Sequence, residues 1–278
     1  MIGYLGPVGT FTQAALNFYI NEEQSDAVLK PFPSIYALFE ALSNKEIAKV
    51  FIPIENSRGG EVFAAFAGLN QLEDSFFISN EVVFPIKQSL MASQPCNLND
   101  IKVIYAHEQS TRQCSHFLHQ ELPHVELVFV ASNGVAAERV KASSDCVACL
   151  GYEGAASLFD LTVLRSNVQD DDHNKTRFVL ISSNQHDKTG DDKTSFVFST
   201  HKDKPGSLCD ILSLLSNESI NLTRISSKPV SNNLGEYLFF IDCEGHIQDP
   251  VVYECLSKIK TSCLYYKFLG SYPKGRAI

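Results

Sequence analysis

Up to about residue 183 the chain alternates between two apolar periods. Short, mostly apolar runs at Ile2–Leu5, Val28–Phe32, Val50–Ile54, Phe76–Ile78, Val82–Ile86, Lys102–Ala106, Val125–Val130, Cys146–Gly151 and Phe178–Ser182 read as strands. Between them, Phe11–Ile20, Ile35–Leu42, Val62–Leu69, Thr111–His119 and Val135–Lys141 repeat apolar positions every three or four residues, the period of a helix with one buried face. That alternation predicts α/β layering with largely parallel sheets. Nine strands in roughly 185 residues are more than one compact sheet of this size holds, so two α/β lobes with a cleft between them are expected. The extended Phe76–Ile86 region and the polar stretch Arg165–Asn174 are the expected crossings.

A charged, turn-rich stretch without apolar residues, Asn184 to Lys193, ends this half and has linker composition. Beyond it the pattern predicts a strand at Ser195–Ser199 and a helix at Pro205–Asn217, with Pro205 at a favoured helix start. Strands follow at Asn221–Val230 and Glu236–Cys243, joined by a hairpin near Asn232-Asn233-Leu234-Gly235, then a helix at Val251–Lys260 and a strand at Leu264–Leu269. The order β-α-β-β-α-β is that of a ferredoxin-like α+β unit.

The chain has 278 residues, 44% of them hydrophobic, which is the composition of globular domains and not of disordered chains. No apolar run approaches the roughly 18 residues of a spanning helix, so no membrane partner is expected. A net charge of −9 argues against a nucleic-acid partner, yet local cations and helix starts can still bind anions. The first basic side chain is Lys30, so a secretory leader is not expected and the protein is expected to be cytoplasmic. Eight scattered cysteines then read as reduced thiols. The Cys146-Val147-Ala148-Cys149 spacing lies in a strand-like run where cysteine serves as a small apolar side chain, so neither a metal nor a redox site is expected.

Candidate chemistry gathers where strands end in polar residues. Gly6-Pro7-Val8-Gly9-Thr10 opens a helix whose Thr10 and Gln13 have the spacing of a capping box. Such a turn is either an ordinary capped βα turn or a seat for a carboxylate or phosphate on free backbone N–H groups. Val50–Ile54 runs into Glu55-Asn56-Ser57-Arg58, either a solvated loop or a ligand edge, since ligands bind at the carboxyl ends of such strands. Tyr105-Ala106-His107-Glu108-Gln109 and Val130-Ala131-Ser132-Asn133 repeat the arrangement. Thr176-Arg177 enters a buried strand with one hydroxyl and one planar cation, which is either a plain strand start or a carboxylate site.

In this order the segments resemble the prephenate dehydratase family with its C-terminal ACT domain. The resemblance rests on Gly6-Pro7-Val8-Gly9-Thr10-Phe11-Thr12, Pro53-Ile54-Glu55-Asn56-Ser57 and Thr176-Arg177-Phe178, then on Lys204-Pro205-Gly206-Ser207-Leu208, Asn221-Leu222-Thr223-Arg224-Ile225 and Gly270-Ser271-Tyr272-Pro273. It implies a two-lobed, periplasmic-binding-protein-like α/β catalytic domain over residues 1–183, a linker at 184–192, and a ferredoxin-like ACT domain over 193–272. It also implies loss of CO2 and water from prephenate to give phenylpyruvate, without a cofactor, under feedback inhibition by L-phenylalanine. Thr176 becomes the expected donor to the leaving hydroxyl, with Thr10, Glu55, Asn56, Gln109, Ser132, Arg177 and Phe178 around the substrate. Gly206, Ser207, Leu208, Asn221, Leu222 and Ser227 become the expected phenylalanine site, and a homodimer or homotetramer the expected assembly.

The sequence departs from the family pattern at Glu108, which adds a carboxylate near an anionic substrate, and at Asn133, which stands where a threonine is common. It departs again at Cys209 and at Ser226-Ser227-Lys228-Pro229, where an acid is lost and lysine replaces arginine. Arogenate dehydratase is the alternative within this chemistry. A non-catalytic two-lobed amino-acid sensor is the alternative outside it.

Overall fold

The computed structural model describes residues 1–200, 205–229 and 237–275. The chain separates into two units, one formed by Met1–Ala65 with Val82–Phe178, the other by Phe66–Glu81 with the chain from Val179 on. The expected hairpin near residues 232–235 lies outside the described residues, as does Lys204.

The N-terminal elements are β1 (Ile2–Leu5), α1 (Phe11–Glu22), β2 (Leu29–Phe32), α2 (Ile35–Ser43), β3 (Lys49–Asn56), β4 (Gly60–Glu61), α3 (Phe63–Gln71) and β5 (Phe77–Pro85). With β11 (Lys175–Ser182) they build a sheet in the order β2-β1-β3-β11-β5, β4 pairing with β3. β1 runs parallel to both β2 and β3. The second sheet takes β6 (Ser89–Ala92), β7 (Val103–Ala106), β8 (Glu126–Phe129), β9 (Val147–Gly151) and β10 (Thr162–Arg165) in the order β10-β6-β9-β7-β8. Its helices are α4 (Glu108–Gln113), α5 (Ser115–Glu121), α6 (Asn133–Lys141) and α7 (Ala155–Phe159). These two sheets are the two expected lobes.

The lobe crossings differ from expectation. Phe77–Pro85 is one continuous strand of the first sheet, so the outward crossing is only residues 86–88, while residues 166–174 make the return. The two crossings hold each other: Ile86 N–H donates to Asn174 O and Val168 N–H to Gln88 O, at 2.9 and 2.8 Å. The second sheet is mixed, not largely parallel. β6 enters from one crossing and β10 leaves by the other, and β6 is antiparallel to both β9 and β10. The single helix expected over Thr111–His119 is two, broken at Cys114, whose φ of −120° and ψ of 24° leave the helical region.

Alternation packs the second sheet on both faces. Leu90, Ala92, Ile104, Ala106, Ala148 and Leu150 meet Cys114, Leu118 and Leu122 on one side. Met91, Val147 and Cys149 meet Ala136, Ala137, Val140, Ala155 and Ala156 on the other. Burial pushes the Cys149 thiol up to about 12, so the cysteine pair spaced by two residues supplies an inert core side chain and not a thiolate.

The C-terminal elements are β12 (Asp192–Ser199), α8 (Ser207–Asn217), β13 (Leu222–Pro229), β14 (Tyr237–Glu244), α9 (Pro250–Ser262) and β15 (Tyr265–Pro273). Their antiparallel sheet has the order β13-β14-β12-β15, which is the ferredoxin-like pattern. Phe196, Phe198, Ile241 and Cys243 on one face meet Ile211, Leu215, Val252, Cys255, Leu256 and Ile259 of the two helices. Helix α8 begins two residues later than Pro205 because Gly206 sits at φ +82°, a left-handed conformation that cannot continue a helix backward. On the other face Ser195 Oγ donates to Asp242 Oδ1 and shares a hydrogen bond with Tyr272 Oη, both at 2.5 Å.

In the same unit Lys193 Nζ reaches Glu81 Oε1 at 2.8 Å and Oε2 at 3.1 Å, and the Glu81 side chain is fully buried. Glu81 also accepts from Gly275 N–H at 2.9 Å. Breaking a buried ion pair from one side leaves a charge without its partner, at a cost of about 3–5 kcal/mol. Lys193→Met is therefore expected to lower the unfolding free energy by about 3 kcal/mol in urea titration, and Glu81→Gln added to it to restore part of the loss. Unchanged stability in Lys193→Met would show that the pair is not buried in solution.

Candidate active site

Strand β3 ends at Asn56, whose side chain organises the surrounding turn. Its Nδ2 donates to Asn174 Oδ1 at 2.9 Å, Lys175 O at 3.0 Å and Thr176 Oγ1 at 2.8 Å. Its Oδ1 accepts from the N–H groups of Arg58 and Gly59 at 3.1 and 2.6 Å, and from Gln109 Nε2 at 3.4 Å. One neutral amide thus ties the end of β3, the start of β11 and helix α4. A side chain at Gly59 would collide with the Gln109 amide, so this turn admits only glycine without displacing Gln109. Arg58 pairs with Asp171 at 2.6 Å, closing the turn onto the return crossing; the His173 N–H and the Arg58 guanidinium hold the Asp171 carboxyl below its ordinary range.

The period of two along β11 sorts its side chains. Thr176 and Phe178 face a cavity of about 200 Å³, also lined by Phe11, Thr12, Asn56, His107, Gln109 and Asn133. Phe178 stacks on Phe51 with ring centroids 5.3 Å apart, which fixes its ring as a wall. Arg177, between them, is 8% exposed and pairs with Glu55 at 3.2 Å. Neither Arg177 nor Glu55 lines the cavity, so a charge expected at the substrate is matched by a carboxylate within the protein.

Thr10 and Ser132 do not line this cavity; they cap helices beside it. Thr10 Oγ1 accepts from Gln13 N–H at 3.4 Å and caps α1, while Gln13 Oε1 accepts at 2.7 Å from the N–H of Gly9, one residue before the cap rather than from the cap itself as a capping box would have it. Ser132 Oγ accepts from Val135 N–H at 3.2 Å and caps α6. Each cap spends its oxygen on its own helix. The next residues, Phe11, Thr12 and Asn133, face the cavity instead. His107 caps α4 in the same way, its Nδ1 accepting from Gln109 N–H at 3.2 Å, which leaves the ring proton on Nε2 as a donor. Glu108 points elsewhere and pairs with Arg112 at 2.6 Å on the surface.

Sequence reasoning missed Gln88 and Gln113, which line the same cavity, and gave Ser110 no role although it stands in the polar segment of residues 105–111. Gln88 sits between Lys87 and Ser89, just before a short strand, and Gln113 in a helix, so only the tertiary fold unites them. Among the described residues no lysine or arginine lines the cavity. Its polar lining is amides, hydroxyls and one imidazole, with Thr12 and Asn133 from the first turns of α1 and α6, where helix dipoles favour anions.

In the second unit, Gly206 and Ser207 start α8, and space beside Gly206 is open. Leu208 and Leu222 pack half-buried on the core of that unit. Asn221 and Ser227 are exposed, and Asn221 O accepts from Glu244 N–H at 2.9 Å.

A cleft between two α/β lobes, lined by neutral donors and two helix starts, belongs to an enzyme that holds a small anionic substrate. The prephenate dehydratase family model matches residues 2–186, and the ACT domain model matches residues 194–261. The chain is 37% identical over 273 residues to a bifunctional chorismate mutase/prephenate dehydratase of Pseudomonas aeruginosa, covering 98% of this chain and 73% of that protein. It is 32% identical over 283 residues to the prephenate dehydratase of Mycobacterium marinum, covering 99% and 89%. Among solved structures, the prephenate dehydratase of Arthrobacter aurescens in complex with L-Phe is similar at a TM-score of 0.87 and 29% identity, covering 98% and 90%. The chain belongs to the prephenate dehydratase family and carries an ACT domain.

Asn56→Asp tests the amide clamp. The substitution keeps the acceptor side but sets a carboxylate oxygen against Asn174 Oδ1 and Lys175 O, and it draws the Thr176 hydroxyl into donating back to residue 56. Acceptor facing acceptor costs about 1–3 kcal/mol when buried, so about 1 kcal/mol is expected at this half-buried position. The expected outcome is a matching loss of stability, with activity reduced more than in a control substitution on exposed Tyr36. Wild-type stability and activity together would show that Asn56 is not the clamp.

Proposed function

We propose that Thr176 supplies the hydrogen bond that assists departure of the hydroxyl as prephenate becomes phenylpyruvate, CO2 and water. One observation carries the assignment. Thr176 Oγ1 accepts from Asn56 Nδ2 at 2.8 Å, so its own O–H is left to donate, and the side chain lines the cavity. The ring carboxylate leaves as CO2, its bond pair enters the ring, and the ring expels the C4 hydroxyl with the C–O pair. The departing oxygen takes up a proton to become water. Aromatisation supplies the driving force, and the protein supplies orientation and a donor where negative charge develops. A threonine hydroxyl is a weak acid, so its contribution is a strengthening hydrogen bond with partial proton transfer.

In this reading Asn56 and Gln109 contact the substrate and Phe178 packs against its ring. Thr10 and Ser132 act through the helices they cap, placing the starts of α1 and α6 for the two carboxylates. Glu55 and Arg177 position β3 against β11 from the opposite face. The division at residues 183 and 193, and a cytoplasmic location, complete the proposal.

L-phenylalanine is the proposed effector at Gly206, Ser207, Leu208, Asn221, Leu222 and Ser227. The similar Arthrobacter aurescens enzyme, solved with L-Phe, supports that ligand. The open N-terminal turn of α8 offers N–H groups for its carboxylate. Strand β13 is the open edge of its sheet, with Ile225 43% exposed, and pairing of such edges supports a homodimer or homotetramer.

Thr176→Ala is expected to lower kcat by ~10²–10⁴ with KM little changed, since the bond strengthens in the transition state. Thr176→Ser should recover much of the rate. Near-normal kcat in a folded Thr176→Ala protein would remove the residue from the mechanism. Calorimetry with L-phenylalanine should show binding, and activity titration a ~5–150-fold weakening of prephenate saturation. Absence of both at millimolar effector would assign the ACT domain another role.

A further inference from the structure

Gln88 lies in the short outward crossing, is 1% exposed and lines the cavity. Its backbone is fixed on both sides: its N–H donates to Gln169 Oε1 at 2.8 Å, and its carbonyl accepts from Val168 N–H at 2.8 Å. Both hydrogens of Nε2 are also committed, one to Ser110 Oγ at 3.2 Å and one to Gln113 Oε1 at 2.9 Å. Ser110 Oγ in turn donates to Asn133 Oδ1 at 2.9 Å, so it can only accept from Gln88. Turning the Gln88 amide over would set its oxygen against Gln113 Oε1. In this arrangement of the network Gln88 Oε1 is buried with no hydrogen-bond partner among the described residues.

A buried acceptor held this firmly selects what fills the cavity, because an acceptor left unpaired is costly. Prephenate at neutral pH offers two carboxylates and a keto oxygen, all acceptors, and one donor, the hydroxyl on the ring. We infer that Gln88 is a specificity-determining residue whose Oε1 accepts the hydrogen of that ring hydroxyl. The consequence is orientational. With its hydrogen held by Gln88, the hydroxyl oxygen presents its lone pairs to a donor, and Thr176 lines the same small cavity. The carboxylates are turned away from Gln88 Oε1, which repels them, and toward the starts of α1 and α6. The inference rests on the assignment of Thr176 as that donor.

The test uses two non-reacting ligands with a saturated ring and both carboxylates, one carrying the ring hydroxyl and one with hydrogen in its place. Inhibition constants are measured on the full chain. Wild type is expected to prefer the hydroxylated ligand by about tenfold. Gln88→Met, of similar shape but without the acceptor, should bind the hydrogen-bearing ligand as wild type does and lose the preference to within about twofold. Ser110→Ala keeps the acceptor but unties the amide, and should lose part of the preference, which preserves the test if Gln88→Met does not fold. Equal binding of the two ligands by wild type, or a full preference retained in the folded variants, overturns the inference. Failure of the Thr176 assignment reads differently: normal kcat in Thr176→Ala, with the hydroxyl preference still dependent on Gln88.

Discussion

The site depends on one neutral side chain at the end of a strand. Asn56 reaches the first residues of β11 with its donors and the Arg58–Gly59 turn and Gln109 with its acceptor. An aspartate would lack the donors and a serine the reach. Because the Asn56 amide donates to Thr176 Oγ1, the Thr176 hydroxyl keeps its own hydrogen to donate. On the proposed assignment of Thr176, the amide that ties β3 to β11 also orients the donor.

The cavity solves an electrostatic problem without spending a formal charge. The chain carries −9 overall, yet its substrate is a dianion. Arg177, next to Thr176 in sequence, is matched with Glu55 on the reverse side of the strand. A bare guanidinium in the cavity would grip the ring carboxylate and stabilise the ground state, and that carboxylate must depart as neutral CO2. Helix starts and amides attract anions more weakly and at fixed positions, so they orient without trapping.

Legibility in the sequence followed the physics of each segment. β1, α2 and α6 have clear periods and defined caps, and they stand within one or two residues of expectation. β6 carries no alternation to detect because all four of its residues are buried, and β10 is a short partly buried run ending in a charge. β5 read as two strands because Asn80 and Glu81 interrupt its apolar run; Glu81 is tolerated inside only because Lys193 meets it from 112 residues away. In the site, the motif residues Asn56, Gln109, Thr176 and Phe178 line one cavity. Thr10 and Ser132 cap helices beside it, because the sequence shows a cap and a ligand-binding hydroxyl in the same letters. Gln88 carried no signal at all, because a glutamine becomes informative only when both of its hydrogens are seen to be taken.

The crossings explain how a cleft built from two lobes keeps such a site in register. Residues 86–88 and 166–174 are the covalent links between the two sheets of the first unit, and each carries a side chain of the site network. Gln88 stands on the outward crossing and Asn174, which accepts from Asn56 and Ser57, on the return. Ser115 and the His116 N–H bind Asp170 on that return, and Gln169 bridges back to Gln88. The two segments therefore hold the Gln88 amide on the outward crossing and the Asn174 side chain on the return within one hydrogen-bonded network. β5 and β11 reach the crossings directly, β5 ending at Pro85 and β11 beginning at Lys175, and both strands run on in sequence into the second unit. β11 ends at Ser182 and the first strand of the ACT domain begins at Asp192, so a short non-strand segment of chain joins them.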